Sequence, residues 1–134
     1  MKTAGVNLST INVSAIFNPK FLPKYRWIPD PPDPRDHLYQ LQPVTLAPRV
    51  DLRQWASPIE DQGNLGSCTA NSIGAAFEYE LKKQNLPSFT PSRLFIYYNE
   101  RKIENTIKSD AGAMIRDGIK TVANEGACKE TTWP

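Results

Sequence analysis

Apolar residues recur at helical spacing in three segments of the second half of the chain. The first segment runs from about Ser67 to Gln84, the second opens near Thr90, and the third spans about Ala113 to Asn124. Residues three or four positions apart lie on one face of a helix, so each segment predicts an amphipathic helix. Their apolar positions are Ala70, Ile73, Phe77, Leu81, Leu94, Tyr97, Tyr98, Ile115, Ile119 and Val122. Strand-like alternation is nearly absent, so the pattern predicts a small helical domain.

Local signals mark the ends of these helices. Asn85, followed by Pro87, predicts the end of the first helix. Thr90 before Pro91 predicts an N-cap and the first helical position of the second, because proline is tolerated where the helix N–H has no partner. Gly126 stands where a left-handed cap would end the third helix.

The first part of the chain has a different composition. Eight of the 12 prolines fall within residues 1–50. Proline fixes φ and restricts the residue before it, which predicts an extended arm over residues 1–48. An arm with large apolar groups is predicted to dock rather than to extend freely into solvent. Those groups are Trp27, Ile28, Leu38, Tyr39 and Leu41. Residues 49–134 then form the helical domain.

Composition excludes several functional classes. With 16 Lys and Arg against 14 Asp and Glu, the net charge is +2, and we expect no nucleic-acid partner. No apolar run approaches the ~20 residues of a membrane span, and residues 1–17 lack the pattern of a signal peptide. We therefore expect a cytoplasmic protein without membrane contact. Two cysteines, Cys68 and Cys128, and one histidine, His37, are too few for a structural metal site or a disulfide scaffold. We expect no metal and no cofactor.

A second metal hypothesis concerns the arm. Asp30, Asp33 and Asp36 recur at every third position, and carboxylates at such spacing suggest cation ligands. The interleaved prolines and Arg35 favour instead solvated carboxylates in a turn.

The segment from Asp61 to Asn71 carries the chemistry. Its glycine-bearing loop brings Cys68 to the first turn of the first predicted helix. Unpaired backbone N–H groups and the helix dipole stabilise a thiolate at that position. Gln62 lies on the far side of the loop, where its amide and the N–H of Cys68 are able to bracket a developing oxyanion.

This segment resembles the papain-like cysteine peptidases, in which a Gln-Gly-…-Gly-Ser-Cys sequence opens the central helix. The resemblance implies that Cys68 is the nucleophile, that Gln62 belongs to the oxyanion hole, and that polypeptide is the substrate. It also implies substrate binding by Gly66, Ser67 and Gly112. The implied fold is α+β, and this sequence would carry its mainly helical subdomain.

Further stretches extend the resemblance over about residues 25–134. They are Val50-Asp51-Leu52-Arg53 with Pro58-Ile59, Ser109-Asp110-Ala111-Gly112, and the segment from Glu125 to Pro134. Residues 27–39 resemble the N-terminal extension of a bacterial branch, which precedes the catalytic domain like a propeptide. Two departures are Leu65, where the family has a disulfide cysteine, and Thr69, where it has tryptophan. Ala111-Gly112 replaces the usual pair of glycines.

The general base of the implied mechanism is missing from these residues. In this family a histidine and an asparagine follow the nucleophile by roughly 130–150 residues, and the sequence ends at Pro134. General acid–base catalysis contributes roughly 10²–10⁴ in rate, so we expect the 134 residues alone to be a very poor peptidase. The implied partner is the family's β-rich C-terminal subdomain.

Two other functions stay open. A non-catalytic half-domain would act as a binding or regulatory module through an uncovered apolar face. An acyltransferase would use the same nucleophile with an amine instead of water as acceptor.

Overall fold

The computed structural model describes residues 25–40 and 42–134. Its elements in chain order are strand β1 (Trp27–Ile28), a 3-10 turn (Arg53–Trp55), helix α1 (Cys68–Lys83), helix α2 (Arg93–Ile103), strand β2 (Ala113–Met114) and helix α3 (Ile115–Glu125). The three predicted helices are confirmed, and they pack against one another in pairs. No helix in the described part of the chain combines the length and apolarity needed to cross a membrane.

The starts of α2 and α3 differ from the prediction. Ser92, not Thr90, is the N-cap of α2, because its Oγ accepts a hydrogen bond from the N–H of Phe95 at 3.0 Å. Pro91 precedes the helix and bridges to Lys129 in antiparallel fashion. The predicted first two residues of α3 form β2 instead. In both cases residues that local signals assign to a helix form a backbone pairing with a distant segment instead.

The ends of α1 and α3 follow the predicted residues. Asn85, just beyond α1, has a positive φ of 55°, a conformation that asparagine tolerates better than most residues. Gly126 follows α3 with φ 75° and ψ −164°. Its φ is positive as predicted, but its ψ takes the chain away from the left-handed helical region into an extended path.

A small apolar core lies where the three helices meet β2. Its buried members are Ala70, Ile73, Ile96, Tyr97 and Ala113, with Leu65 and Val122 packed against them. Ile96 was not among the predicted apolar positions. The predicted apolar stripe of α3 is only partly covered, since Ile119 is 56% exposed.

The arm docks on this core through a two-stranded parallel sheet. β1 pairs with β2, with Trp27 opposite Ala113 and Ile28 opposite Met114. The predicted docking is therefore confirmed for this part of the arm. Three of its predicted apolar anchors are wrong, because Leu38 is 88%, Tyr39 is 87% and Trp27 is 55% exposed. A fourth, Leu41, lies outside the described residues.

Carboxylates, not apolar side chains, hold the next stretch of the arm. Asp36 binds the guanidinium of Arg116 with contacts of 2.8 and 2.9 Å. Asp33 lies 3.4 Å from the same group, and Asp30 accepts the backbone N–H of Arg116 at 3.0 Å. The prediction of purely solvated carboxylates is thus wrong: the turn binds an arginine of α3. Among residues 25–40 and 42–134, no cluster of His, Cys, Asp or Glu is arranged to hold a metal ion.

Candidate active site

Cys68 is the first residue of α1 and is half-buried. The preceding residue, Ser67, is the N-cap, yet its side chain makes no capping hydrogen bond, and the first turn contains no acidic residue. The Oγ of Ser67 instead accepts from Asn71 Nδ2 at 3.1 Å. The first turn of α1 therefore carries no side-chain cap and no carboxylate beside Cys68, and the positive end of the helix dipole is not neutralised by that turn.

The loop before Cys68 is closed by its own hydrogen bonds. Gln62 Nε2 donates to the carbonyl of Leu65 at 2.8 Å, and the N–H of Leu65 donates back to Gln62 at 3.3 Å. Gly63 supplies the turn with a φ of 57° and donates to Asp61 Oδ1 at 2.8 Å. An amide nitrogen carries two N–H groups, and the contact with Leu65 uses one of them.

Asp110 connects this loop to the loop before β2. Its carboxylate accepts the N–H of Gly66 at 3.0 and 3.1 Å and the hydroxyl of Tyr97 at 2.6 Å. The same hydroxyl accepts the N–H of Gly112 at 3.1 Å. Asp110 and Tyr97 thus bring together Gly66 and Gly112, two of the residues predicted to bind substrate. Sequence reasoning missed this network. The available signal was a tyrosine on an otherwise apolar helix face, because a buried tyrosine hydroxyl usually forms a hydrogen bond.

The protonation states of this pair follow from their surroundings. Burial opposes ionisation of Asp110, but the bonds from Tyr97 and Gly66 and the charges of Arg26 and Arg101 outweigh it and lower the pKa of Asp110. Burial, together with the bond to Asp110, raises the pKa of Tyr97 to about 12. At neutral pH the network therefore consists of a carboxylate and a neutral phenol.

Arg26 of the arm covers both glycines. The N–H of Ala113 donates to the Arg26 carbonyl at 3.2 Å. Gly112 has a φ of 83°, and a Cβ there would lie 1.8 Å from that carbonyl oxygen. A Cβ on Gly66 would lie 2.5 Å from Cδ of Arg26. Glycine is required at both positions because the arm passes directly over them.

A buried acid supports the first turn of α1. Glu100 is fully buried, and its Oε2 accepts the hydroxyl of Thr69, the residue after Cys68, at 2.9 Å. Burial raises the pKa of Glu100 to about 8, against the opposing effect of the Thr69 bond. At neutral pH the acid is therefore mostly protonated and places little negative charge near the helix N-terminus. No sequence signal pointed to this residue.

The other titratable candidates lie apart from this network. His37 is exposed in the arm, and residues 69–134 contain no histidine. Cys68 and Cys128 are both free thiols, and Cys128 is half-buried.

Two known proteins are similar to this chain, one in sequence and one in structure. The chain is 56% identical over 85 residues to an uncharacterized peptidase C1-like protein of Acanthamoeba polyphaga mimivirus, covering 63% of this chain and 27% of the relative. The structure of this chain is similar to that of xylellain, a cysteine protease from Xylella fastidiosa, with a TM-score of 0.73 and 49% identity. The match covers 82% of this chain and 42% of the xylellain chain. No family model matches the sequence. The chain therefore spans less than half the length of either relative.

Proposed function

We propose that this chain, which has the sequence and the fold of the N-terminal part of a papain-like cysteine peptidase, provides the nucleophile half of a cysteine-type peptidase. The observation that carries the proposal is Cys68 at the uncapped N-terminus of α1, directly after a closed glycine loop. The activity is proposed for the complete fold, because the chain covers 42% of the related structure.

The proposed reaction begins with attack of the Cys68 thiolate on a peptide carbonyl carbon. The carbonyl π electrons move to oxygen, and the N–H of Cys68 and the amide of Gln62 stabilise that oxyanion. The intermediate collapses with cleavage of the C–N bond, and the leaving amine takes a proton from the general acid. Water then hydrolyses the thioester, releasing the acid and restoring the thiolate. We propose that a histidine oriented by an asparagine, both outside these 134 residues, serves as general acid and base.

The substrate backbone is proposed to lie over Gly66 and Gly112. Support comes from the arm, whose Arg26 already occupies this place with an extended backbone bonded to Ala113. Ser67 is 2% exposed, so its contribution to binding is proposed to come from its backbone. By the same reasoning the arm would act as a propeptide-like inhibitor, competing with substrate for the β2 edge.

The thiol chemistry is tested first in the full chain. We expect an epoxysuccinyl peptide to label Cys68 in preference to Cys128, with Cys68→Ala abolishing labelling and Cys128→Ala leaving it unchanged, as measured by intact mass. In a preparation that contains the remaining subdomain, Cys68→Ala should abolish peptide hydrolysis. Gln62→Ala should lower kcat by roughly 10²–10³. Hydrolysis that persists in the Cys68→Ala protein would overturn the proposal.

A partner for the helical part is also proposed. A groove between α1 and α3 is lined mostly by apolar side chains, including Ile73, Phe77, Ile115 and Ile119, and Ile59 is fully exposed. We propose that the β-rich subdomain covers apolar surface of this kind. A non-catalytic binding module is the second candidate, favoured by the same surface. A chain that stays monomeric at high concentration in sedimentation experiments, without the subdomain, would argue against an uncovered interface.

The acceptor of the acyl group is proposed to be water. An amine in its place would make the same thioester an acyltransferase intermediate, and product analysis with an added amine separates the two reactions.

A cytoplasmic, reducing location is proposed, with which the free thiols of Cys68 and Cys128 are compatible.

A further inference from the structure

The side chain of Arg26 lies against Asp110 and Gly66, beside the predicted substrate path. Its Nη1 donates to the backbone carbonyl of Asp110, and its Nε lies 3.7 Å from Asp110 Oδ2. The aliphatic part of the side chain packs over Gly66, where a Cβ would be 2.9 Å from Cγ and 2.5 Å from Cδ. Arg26 therefore contacts the carboxylate and the carbonyl of Asp110 and the backbone of Gly66.

The surface that Arg26 contacts is built by residues outside the arm. The hydroxyl of Tyr97 and the N–H of Gly66 both donate to Oδ1 of the Asp110 carboxylate. Both donors are supplied by the helical domain, so the carboxylate keeps its orientation when Arg26 leaves. The Asp110 side chain is 32% exposed even with the arm docked, so an incoming group is able to reach it.

Two acceptors at one place suit a guanidinium better than an ammonium group. Arginine presents several N–H donors in a planar fork, whereas lysine offers a compact point charge. The carbonyl of Asp110 accepts from Nη1 of Arg26, and its carboxylate lies within ion-pair distance of Nε.

We infer that Asp110, with Gly66 and Gly112, forms a subsite for a basic side chain, and that polypeptides with an arginine at this position are the substrate class the site selects. The inference rests on the proposed function, since it takes the arm to occupy the substrate path. Arg26 is then the chain's own occupant of that subsite, and Asp110 is its specificity-determining residue.

Binding of a short peptide to the full chain tests the subsite without any catalysis. The protein carries Arg26→Ala and Arg116→Gln, which remove the resident guanidinium and loosen the arm. The probe is the acetylated, amidated tetrapeptide Tyr-Arg-Trp-Ile, the sequence of residues 25–28. Its matched control has citrulline, a neutral isostere, in place of arginine. Titrations are followed by the backbone amide resonances of Gly66 and Ala113.

We expect the arginine peptide to bind about fivefold more tightly than the citrulline peptide, as for a partly exposed ion pair. Asp110→Asn added to the protein should bring the ratio to about one. Because Asp110 also holds Gly66, that variant is at risk of not folding. In that case the two peptides are titrated at low and high salt against the protein that keeps Asp110. The preference for the arginine peptide should then shrink at high ionic strength, because a charged contact is screened.

Each outcome decides the question. Equal binding of the two peptides, or binding of neither, would overturn the subsite. Tyr97→Phe removes one donor to Asp110 but no charge, so it should keep the preference for arginine. The readout is independent of Cys68, so failure of epoxysuccinyl labelling would overturn the proposed function and leave this result interpretable.

Discussion

The helical domain and the arm are held by different forces. The domain buries Ile73, Ile96 and Tyr97 where its three helices meet. The described arm contributes no residue to that buried core; it is attached by strand pairing and by the contacts of Arg26 with Asp110 and of Arg116 with the acidic turn. Apolar burial stabilises in proportion to area and does not respond to charge, whereas exposed ion pairs are weak and are screened by salt. The arm is therefore built to be separable from a domain that keeps its core.

The largest expected effect concerns Glu100, whose side chain is fully buried in the helical domain. Because burial raises the pKa of Glu100 from 4.5 to about 8, the folded state binds a proton that the unfolded state releases between these values. The contribution of Glu100 to the free energy of unfolding is therefore fully present below about pH 4.5 and is lost as the pH rises to about 8. One pKa unit corresponds to about 1.4 kcal/mol, so the loss amounts to roughly 3–5 kcal/mol. Urea unfolding across this pH range measures it.

Glu100→Gln is the matched variant. It keeps an acceptor for Thr69 and cannot ionise, so its stability should vary much less between pH 5 and pH 8. Three groups act on Glu100 besides Thr69: Glu104 and Asp117 raise its pKa, and Arg101 lowers it. An unchanged pH dependence in the variant would assign the effect to one of these neighbours.

The next effect separates core from arm directly. Ile96→Ala should cost about 3 kcal/mol, because Ile96 is 1% exposed and the truncation leaves a cavity in the core. Leu38→Ala, at a position 88% exposed in the arm, should change stability by less than about 0.5 kcal/mol. Comparable losses in the two variants, measured by thermal unfolding, would contradict the contrast between the regions.

The smallest expected change in the free energy of unfolding comes from Arg116→Gln, which acts on the attachment of the arm. Arg116→Gln removes the guanidinium held by Asp36 and Asp33, so the arm should detach more often while the core stays intact. The Ala113 amide, which donates to Arg26, should then exchange with deuterium several-fold faster, and the wild type should approach the same rate at high salt.

The Arg116 variant also tests the inhibitory role proposed for the arm. If the arm competes with substrate, Cys68 in Arg116→Gln should react faster with the epoxysuccinyl peptide than in the wild type. Lys83→Gln, which removes a cation of α1 lying 3.8 Å from Glu80, is the control and should leave both the exchange and the labelling rates unchanged. Faster exchange without faster labelling would count against an inhibitory arm.

Local signals in the sequence predicted the features that local physics decides. The spacing around Ile73 and Tyr97 gave the helices, and the glycine loop gave the position of Cys68 at the start of α1. The resemblance to papain-like peptidases and the helical subdomain is confirmed by the two relatives. The roles of Gln62, Cys68 and the substrate-binding residues stay predictions.

Features that depend on distant residues were not predictable in this way. A two-residue strand such as β1 has no alternation to detect, and its partner lies more than 80 positions away. Asp110 shows its role only when the fold brings Gly66 and Tyr97 to it. Counting apolar residues in the arm predicted Leu38 and Tyr39 as anchors, because composition does not report which side of an extended chain meets the domain.

The parallel pairing of β1 with β2 also has a consequence for the order of folding. Contacts such as that between Arg26 and Asp110 join residues 84 positions apart, so docking must close a long loop before it gains any stabilisation. The helices, whose contacts are closer in sequence, form their surface first. During synthesis the arm leaves the ribosome before the helices that form its docking site, so this earlier part of the chain reaches its place after them.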